Sequence, residues 1–438
     1  MNSSVSETSN VWQGLVRYCA NPTMLVFFAN LVRAGCASIV TLLAARWLGP
    51  AEFGHFSTFL ALTIFAYALV GEGFDPSVVR LYAKLPGTDV EGKRRVLGSA
   101  LALRGLLALP MLLLFWGAAA WWLAPVMADI SRLASLAALG ASVAMLGLAV
   151  LQAGERFYAY AALAPVANLL RLLAMPVLWV FGALTLSTLM WSYVLAFAVA
   201  VGLAFWLLRE EWRQVRFDAA MLWELLRFGA WSSLANACFM LMAYVPVPVL
   251  TQVRGAAEGG LYSAAVTLLL LIDQYTASLL TAKLVRTSRI DTLAGLKQFM
   301  RHLGLRLSAM GALLCLLFPL SSGIVNGIFG EAYAGASPVM QALLPGFIAT
   351  LVSHPLYLVL YAMNKPQSYA ISGVVALATF AVFAVWLLPG HGMLGMAWAT
   401  SVARAFQAIM IVGMVVFALR RGARGGQDVL QETKAAAS

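Results

Sequence analysis

Three arginines and one aspartate stand where an apolar chain can least hold them. Arg33, Arg171, Asp273 and Arg404 each fall near the middle of a long apolar run, roughly 15–18 Å from its end at a helical rise of ~1.5 Å per residue. A charge at the centre of a bilayer costs roughly 2.5–3.5 kcal/mol even on the lenient insertion scale, so these side chains are expected to face one another or a water-filled cavity. Three cations against one anion suit a negatively charged ligand, and a guanidinium fork fits phosphate oxygens at two points. Arg33, Arg171 and Arg404 are therefore expected to bind substrate phosphate. Asp273 is expected to act as a charge switch, pairing with an arginine when the site is empty. The competing reading makes Asp273 a fixed lock between the halves of the chain, which still leaves two arginines without an acid.

Other chemistry is thinly represented. Glu72 and Asp75 fall near the cytoplasmic mouth with Arg80 close by in sequence; they are either solvated gate residues or a coupling site, because partial burial can raise a carboxyl pKa toward neutrality. Gly87-Thr88-Asp89-Val90-Glu91-Gly92-Lys93-Arg94 nearly spells a nucleotide-binding loop, but Arg94 replaces the hydroxyl residue that holds Mg²⁺ and no buried strand precedes it. His55, His302, His354 and His391 are scattered, so no metal cluster or triad is expected. Cys19, Cys36, Cys238 and Cys315 lack metal or redox spacing and read as packing residues. The external connections offer only Glu52, Asp129, Glu258 and Glu331, too dispersed for acid–base catalysis. Neither an enzyme nor a cofactor is expected.

The elements that position these charges follow from composition. Of 438 residues, 62% are apolar and 11% charged, against roughly 45–50% and about 25% in a soluble domain. Spans of ~20 apolar residues recur about twelve times, predicting an all-α polytopic membrane protein. The polar start, with Arg17 and Pro22, precedes an apolar run past Leu43, which reads as a retained first helix rather than a cleaved leader. The formal charge of +11 is not spread as for nucleic acid. Basic residues cluster in alternate loops, and Arg46, Arg132 and Arg254 are the exceptions, which places both termini in the cytoplasm.

The halves repeat. Gly49-Pro50-Ala51-Glu52-Phe53-Gly54-His55-Phe56-Ser57 matches Gly255-Ala256-Ala257-Glu258-Gly259-Gly260-Leu261-Tyr262-Ser263, and Asn30 matches Asn236 at the same offset. Leu103-Arg104 answers Leu305-Arg306, and Leu151, Ala153, Arg156, Tyr160 and Ala161 answer Leu360, Ala362, Lys365, Tyr369 and Ala370. An even number of spans per copy makes the repeats parallel, related by an axis near the membrane normal. The expected organisation is a cytoplasmic segment 1–22, a six-helix bundle 23–208, a cytoplasmic linker 209–227, a second bundle 228–418 and a cytoplasmic tail 419–438, with the cavity between the bundles.

Trp47-Leu48-Gly49-Pro50-Ala51-Glu52-Phe53-Gly54, then Gly73-Phe74 and Val78-Val79-Arg80, resembles the polysaccharide-unit flippases of the multidrug/oligosaccharidyl-lipid/polysaccharide exporter superfamily. Leu151-Gln152-Ala153-Gly154-Glu155-Arg156-Phe157 through Tyr160-Ala161 is similar to that family's turn after helix four. The chain departs from the pattern at Gly71, where the family often has an acid; Glu72 and Asp75 are displaced from that point. The resemblance implies a bacterial inner-membrane flippase of a polyprenyl (pyro)phosphate-linked oligosaccharide, working beside membrane lipids and a polysaccharide polymerase and assembly proteins. A multidrug-type exporter of small amphipathic cations and a non-transporting scaffold of a polysaccharide assembly complex are the alternatives. The cationic interior disfavours the first, and the second needs no charges at mid-membrane.

Overall fold

The computed structural model describes residues 22–86, 88–118, 125–213, 215–287, 293–357 and 367–424. The expected terminal segments up to 21 and from 425, Arg17, Cys19, Gly87 and the block with Leu360, Ala362 and Lys365 lie outside them. Among the described residues the long elements are all helices: α1 (Pro22–Val70), α2 (Asp75–Lys84), α3 (Val90–Leu112), α4 (Pro125–Ala153), α5 (Phe157–Leu163), α6 (Val166–Val180), α7 (Leu186–Leu207), α8 (Arg209–Trp212), α9 (Ala219–Tyr244), α10 (Pro246–Val253), α11 (Ala256–Thr287), α12 (Leu293–Leu314), α13 (Leu317–Phe329), α14 (Ala336–Ser353) and α15 (Gln367–Arg424).

Nine helices among the described residues are long and apolar enough to cross a membrane, or ten if a pair bent by 59° near Leu314 counts as one span. Sequence reading expects about twelve. The difference lies in Met24–Val70 and Ala370–Phe417, of 47 and 48 residues, each long enough for two crossings of ~20 residues. Both break at a glycine outside helical geometry: Gly49 has φ 75° and Gly392 φ 55°. Gly49 ends one helix with positive φ and Pro50 opens the next, where its missing N–H costs nothing. The chain is a multi-pass membrane protein, and its many exposed large apolar side chains, such as Leu113, Phe181, Val385 and Trp386, are what a lipid-facing surface requires.

The described residues pack as two compact units, one of those up to Trp47 with those in Leu62–Ser233, the other of Leu48–Ala61 with those from Leu234 onward. In the first, α4 lies along α7. Most of its buried residues are Ala, Ser or Gly, so backbones approach closely: a Cβ at Gly140 would meet Phe197 Cβ at 2.9 Å, and one at Gly147 would meet Ala204 Cβ at 2.9 Å. Phe74, Leu81, Val96, Leu97, Leu146, Leu151 and Leu163 fill the space around it.

In the second unit the two copies of the repeated turn meet. A Cβ at Gly54 would lie 1.8 Å from the Ala256 carbonyl oxygen, and a Cβ at Gly260 would lie 1.9 Å from that of Pro50. Gly255, the partner of Gly49 in the repeat, also has positive φ, at 100°. Thr58 Oγ1 then donates to Thr251 Oγ1 at 2.9 Å in a buried contact. Small residues four apart allow this crossing, and it is the usual way for membrane helices to pack where lipid removes the hydrophobic drive.

Candidate functional site

Arg404, on α15, is 2% exposed. Its fork closes on Asp273 of α11: Nη1 donates to Oδ1 at 2.9 Å and Nη2 to Oδ2 at 2.8 Å. Nη1 also reaches Thr350 Oγ1 of α14 at 3.3 Å, and the guanidinium lies 3.8 Å from the Phe347 ring centre. Two N–H donors in parallel suit a carboxylate, and in a low-dielectric interior such a pair is strong once formed and costly to open. Of the four charges singled out by the sequence, these two are brought together within the second unit.

Arg33 and Arg171 belong to the first unit and share Asn168, one helical turn before Arg171 on α6. Asn168 Nδ2 donates to the Arg33 carbonyl at 2.9 Å, and Arg171 Nη1 donates to Asn168 Oδ1 at 2.7 Å. The Arg171 guanidinium lies 3.8 Å from the Tyr193 ring centre and 4.1 Å from that of Phe197. Its Nε and Nη2 are buried without a hydrogen-bond partner. Arg33 is half-buried, and its Nη1 meets Met145 Sδ at 3.9 Å. Neither arginine has an ion pair among the described residues. A desolvated cation over an aromatic ring gains ~2 kcal/mol, whereas burying an unpaired charge still costs several.

Asp75 has a partner that sequence reading missed. Asp75 is ion-paired with Arg104 of α3 and accepts from Tyr67 Oη at 3.4 Å, while Arg104 Nε donates to Ser142 Oγ at 3.0 Å. Arg80 lies 4.5 Å from the Phe228 ring centre. Gly71 makes room: a Cβ there would meet Arg104 Nε at 2.7 Å. Glu72 opens the adjoining single turn Glu72–Phe74. The loop resembling a nucleotide site starts α3, with Asp89 accepting from Gly92 N at 2.8 Å and Glu91 paired with Arg95 and Arg216, each at 2.9 Å. Among the described residues no three His, Cys, Asp or Glu side chains gather as a metal site.

The profile of a family described as polysaccharide biosynthesis protein matches residues 20–285. The chain belongs to the polysaccharide biosynthesis protein family. This family member is 24% identical over 244 residues to a Shigella flexneri protein named as an O-antigen transporter, covering 54% of this chain and 57% of that one. The chain therefore spans little more than half the length of the curated relative it matches. Its fold is similar to that of solved transporters of the multidrug/oligosaccharidyl-lipid/polysaccharide exporter superfamily. It is similar to the lipid II flippase MurJ in an inward closed conformation (TM-score 0.68, 14% identity, 90% of this chain and 87% of that). It is also similar to an inward-facing multidrug resistance MATE transporter (0.70, 14%, 88% and 94%) and to a superfamily transporter of Pyrococcus furiosus (0.62, 14%, 91% and 94%).

In this family member Glu258 does something the sequence did not suggest. Its Oε2 accepts from the backbone N of Met393 at 3.0 Å and its Oε1 lies 3.4 Å from Arg254 Nε. Gly392 breaks α15 at that point, so Glu258 caps the free N–H of the helix that restarts beyond it. The signal was the Gly/Glu turn itself, but its partner lies 135 residues away.

Proposed function

We propose that this protein flips a lipid-linked oligosaccharide unit, carried on a polyprenyl (pyro)phosphate, from the cytoplasmic to the periplasmic leaflet of the bacterial inner membrane. The unit would serve exopolysaccharide, capsule or O-antigen assembly, with both termini cytoplasmic and twelve spans in two bundles that rock to expose the site to alternate sides. Family membership and the flippase fold support the reading, and the name of the Shigella flexneri relative, an O-antigen transporter, agrees with it. No reacting group is called for: the protein binds, shields and releases its cargo, and does not break bonds.

One observation carries the proposal. With Arg404 neutralised by Asp273, the unbalanced cations of the described interior are Arg171 and Arg33, and Arg171 keeps two buried nitrogens open. A phosphate oxygen would satisfy them. In this scheme Arg171 and Arg33 take the phosphates first, and Arg404 joins when a phosphate outcompetes Asp273, since it offers more charge and more acceptors than one carboxylate. Membrane lipids surround the polyprenyl tail, and the polymerase and assembly proteins receive the unit outside.

The test is reconstitution with a polyprenyl pyrophosphate-linked oligosaccharide loaded on one leaflet, its arrival on the other read by an added glycosidase. Wild-type vesicles should expose the sugar, and Arg171→Ala vesicles with equal inserted protein should not. Equal exposure in wild type and Arg171→Ala would overturn the phosphate role, and none in wild type would overturn the substrate.

A further inference from the structure

His354 is buried to nine-tenths, and its place follows from two helical registers. It ends α14 one turn beyond Thr350, and residues four apart share a face; Thr350 is the hydroxyl that touches Arg404. Gln407, one turn beyond Arg404 on α15, is buried on the same face of that helix. Pro355, next in sequence, cannot donate to a continuing helix, so the chain turns here in the short segment His354–Leu356 and holds the ring inward. Phe239 and Tyr357 flank the ring, with centres 6.2 and 5.7 Å away. One nitrogen, Nε2, is buried with no hydrogen-bond partner.

We propose that His354 is a proton-binding site of the second unit, taking up one proton at Nε2 when Arg404 releases Asp273. The link to ligand rests on the flippase reading above; the link to Arg404 does not. While Arg404 holds Asp273, the cluster is neutral and an imidazolium would add an uncompensated buried charge. Once Arg404 turns to another anion, Asp273 stands alone, and an imidazolium restores neutrality with a proton drawn from water. The proton leaves when Arg404 returns.

The other groups around the ring do not offer this exchange. On α11 the charged residue acting on it is Asp273, and on α15 it is Arg404. α14 carries no titratable residue in Ala336–Ser353. Tyr262 Oη is bonded to Thr400 Oγ1 at 3.0 Å, and Tyr357 Oη to Ser372 Oγ. From α9 the contact is the apolar ring of Phe239.

The experiment follows histidine protonation by ¹⁵N NMR of the protein in lipid nanodiscs, with the His354 signal assigned from its loss in His354→Gln. At one pH between about 6 and 7.5, where a free imidazole titrates, Arg404→Gln should raise the ratio of protonated to neutral His354 at least about tenfold, and Asp273→Asn added to it should reverse the change. An unchanged or lower ratio in Arg404→Gln overturns the proposal. If Arg404→Gln cannot be recovered folded, polyprenyl pyrophosphate is titrated into wild type and proton uptake is measured in buffers of different ionisation enthalpy. Uptake of about one proton per ligand, lost in His354→Gln, supports the site; equal uptake in both, or binding without uptake, overturns it. Failure of polyprenyl pyrophosphate to bind counts against the flippase reading, and Arg404→Lys, which keeps the charge but loses the fork that holds Asp273, then takes the place of Arg404→Gln in the NMR comparison: a protonated fraction of His354 no higher than in wild type overturns the proposal.

Discussion

Arg404 meets Asp273 fork to fork, at 2.8 and 2.9 Å, with almost no exposed surface on the arginine. Sequence position alone put these two at similar depth on helices 131 residues apart. Breaking such a pair by removing one partner typically costs about 3–5 kcal/mol, because the other is left charged and buried. Asp273→Asn should therefore lower the thermal midpoint in detergent, leave polyprenyl pyrophosphate binding equal or tighter, and slow turnover. Unchanged transport would remove the switch role.

Arg171 offers a sharper comparison. Arg171→Lys keeps a charge but loses the planar fork, so polymer output should recover only partly relative to Arg171→Ala, at equal amounts of inserted protein. Arg33→Lys should behave likewise. Full output in the triple variant Arg33→Ala, Arg171→Ala, Arg404→Ala would refute phosphate binding by these residues.

The pair Asp75–Arg104 predicts non-additivity. Arg104→Gln leaves a buried carboxylate and Asp75→Asn a buried guanidinium, so each single change should destabilise, by about 3–5 kcal/mol in the limit of full burial. The double variant should melt above at least one single variant. Additive losses would show that the ion pair contributes little. If Asp75 were instead a free gate acid, Arg104→Gln would spare stability.

Legibility in the sequence divides by mechanism. Arg33, Arg171, Asp273 and Arg404 stood out because a charge in an apolar run is expensive wherever it points. Arg104 did not, because it lies close enough to the start of its span to read as a helix-end base, and its tie to Asp75 depends on how α2 and α3 pack. Glu258 read as a loop acid for the same reason: its cap on Met393 is a contact between distant segments. The helical class was visible, since apolar run length is one-dimensional. Gly49 and Gly392 each divide a long apolar stretch, and the expectation of about twelve spans already counts two crossings in each of those stretches.

Steric contact at the repeated turns gives a test with an internal control. Gly54→Ala and Gly260→Ala each drive a methyl into a backbone carbonyl that cannot rotate away, and overpacking of this kind costs about 1–3 kcal/mol or more. Both should reduce folded, inserted protein. Gly105→Ala, with open space at its Cβ, should not, as measured by fluorescence-detected size exclusion.

Topology is checked by reporter fusions. A fusion after Ser438 should report the cytoplasm and one within Gly255 to Gly260 the periplasm. Both on one side would contradict the parallel repeat.

The meeting of Gly54 with Ala256 and of Gly260 with Pro50 is reciprocal: each residue touches the repeat counterpart of the residue its own counterpart touches. That is the signature of an isologous interface, in which one patch binds a copy of itself about a two-fold axis. A single polypeptide carrying such a contact internally has the form of a fused homodimer. The half-length ancestor it implies would have associated through this same small-residue crossing. On that reading the two copies now differ at the charged position itself: Asp273 of the second copy stands where the first has Tyr67.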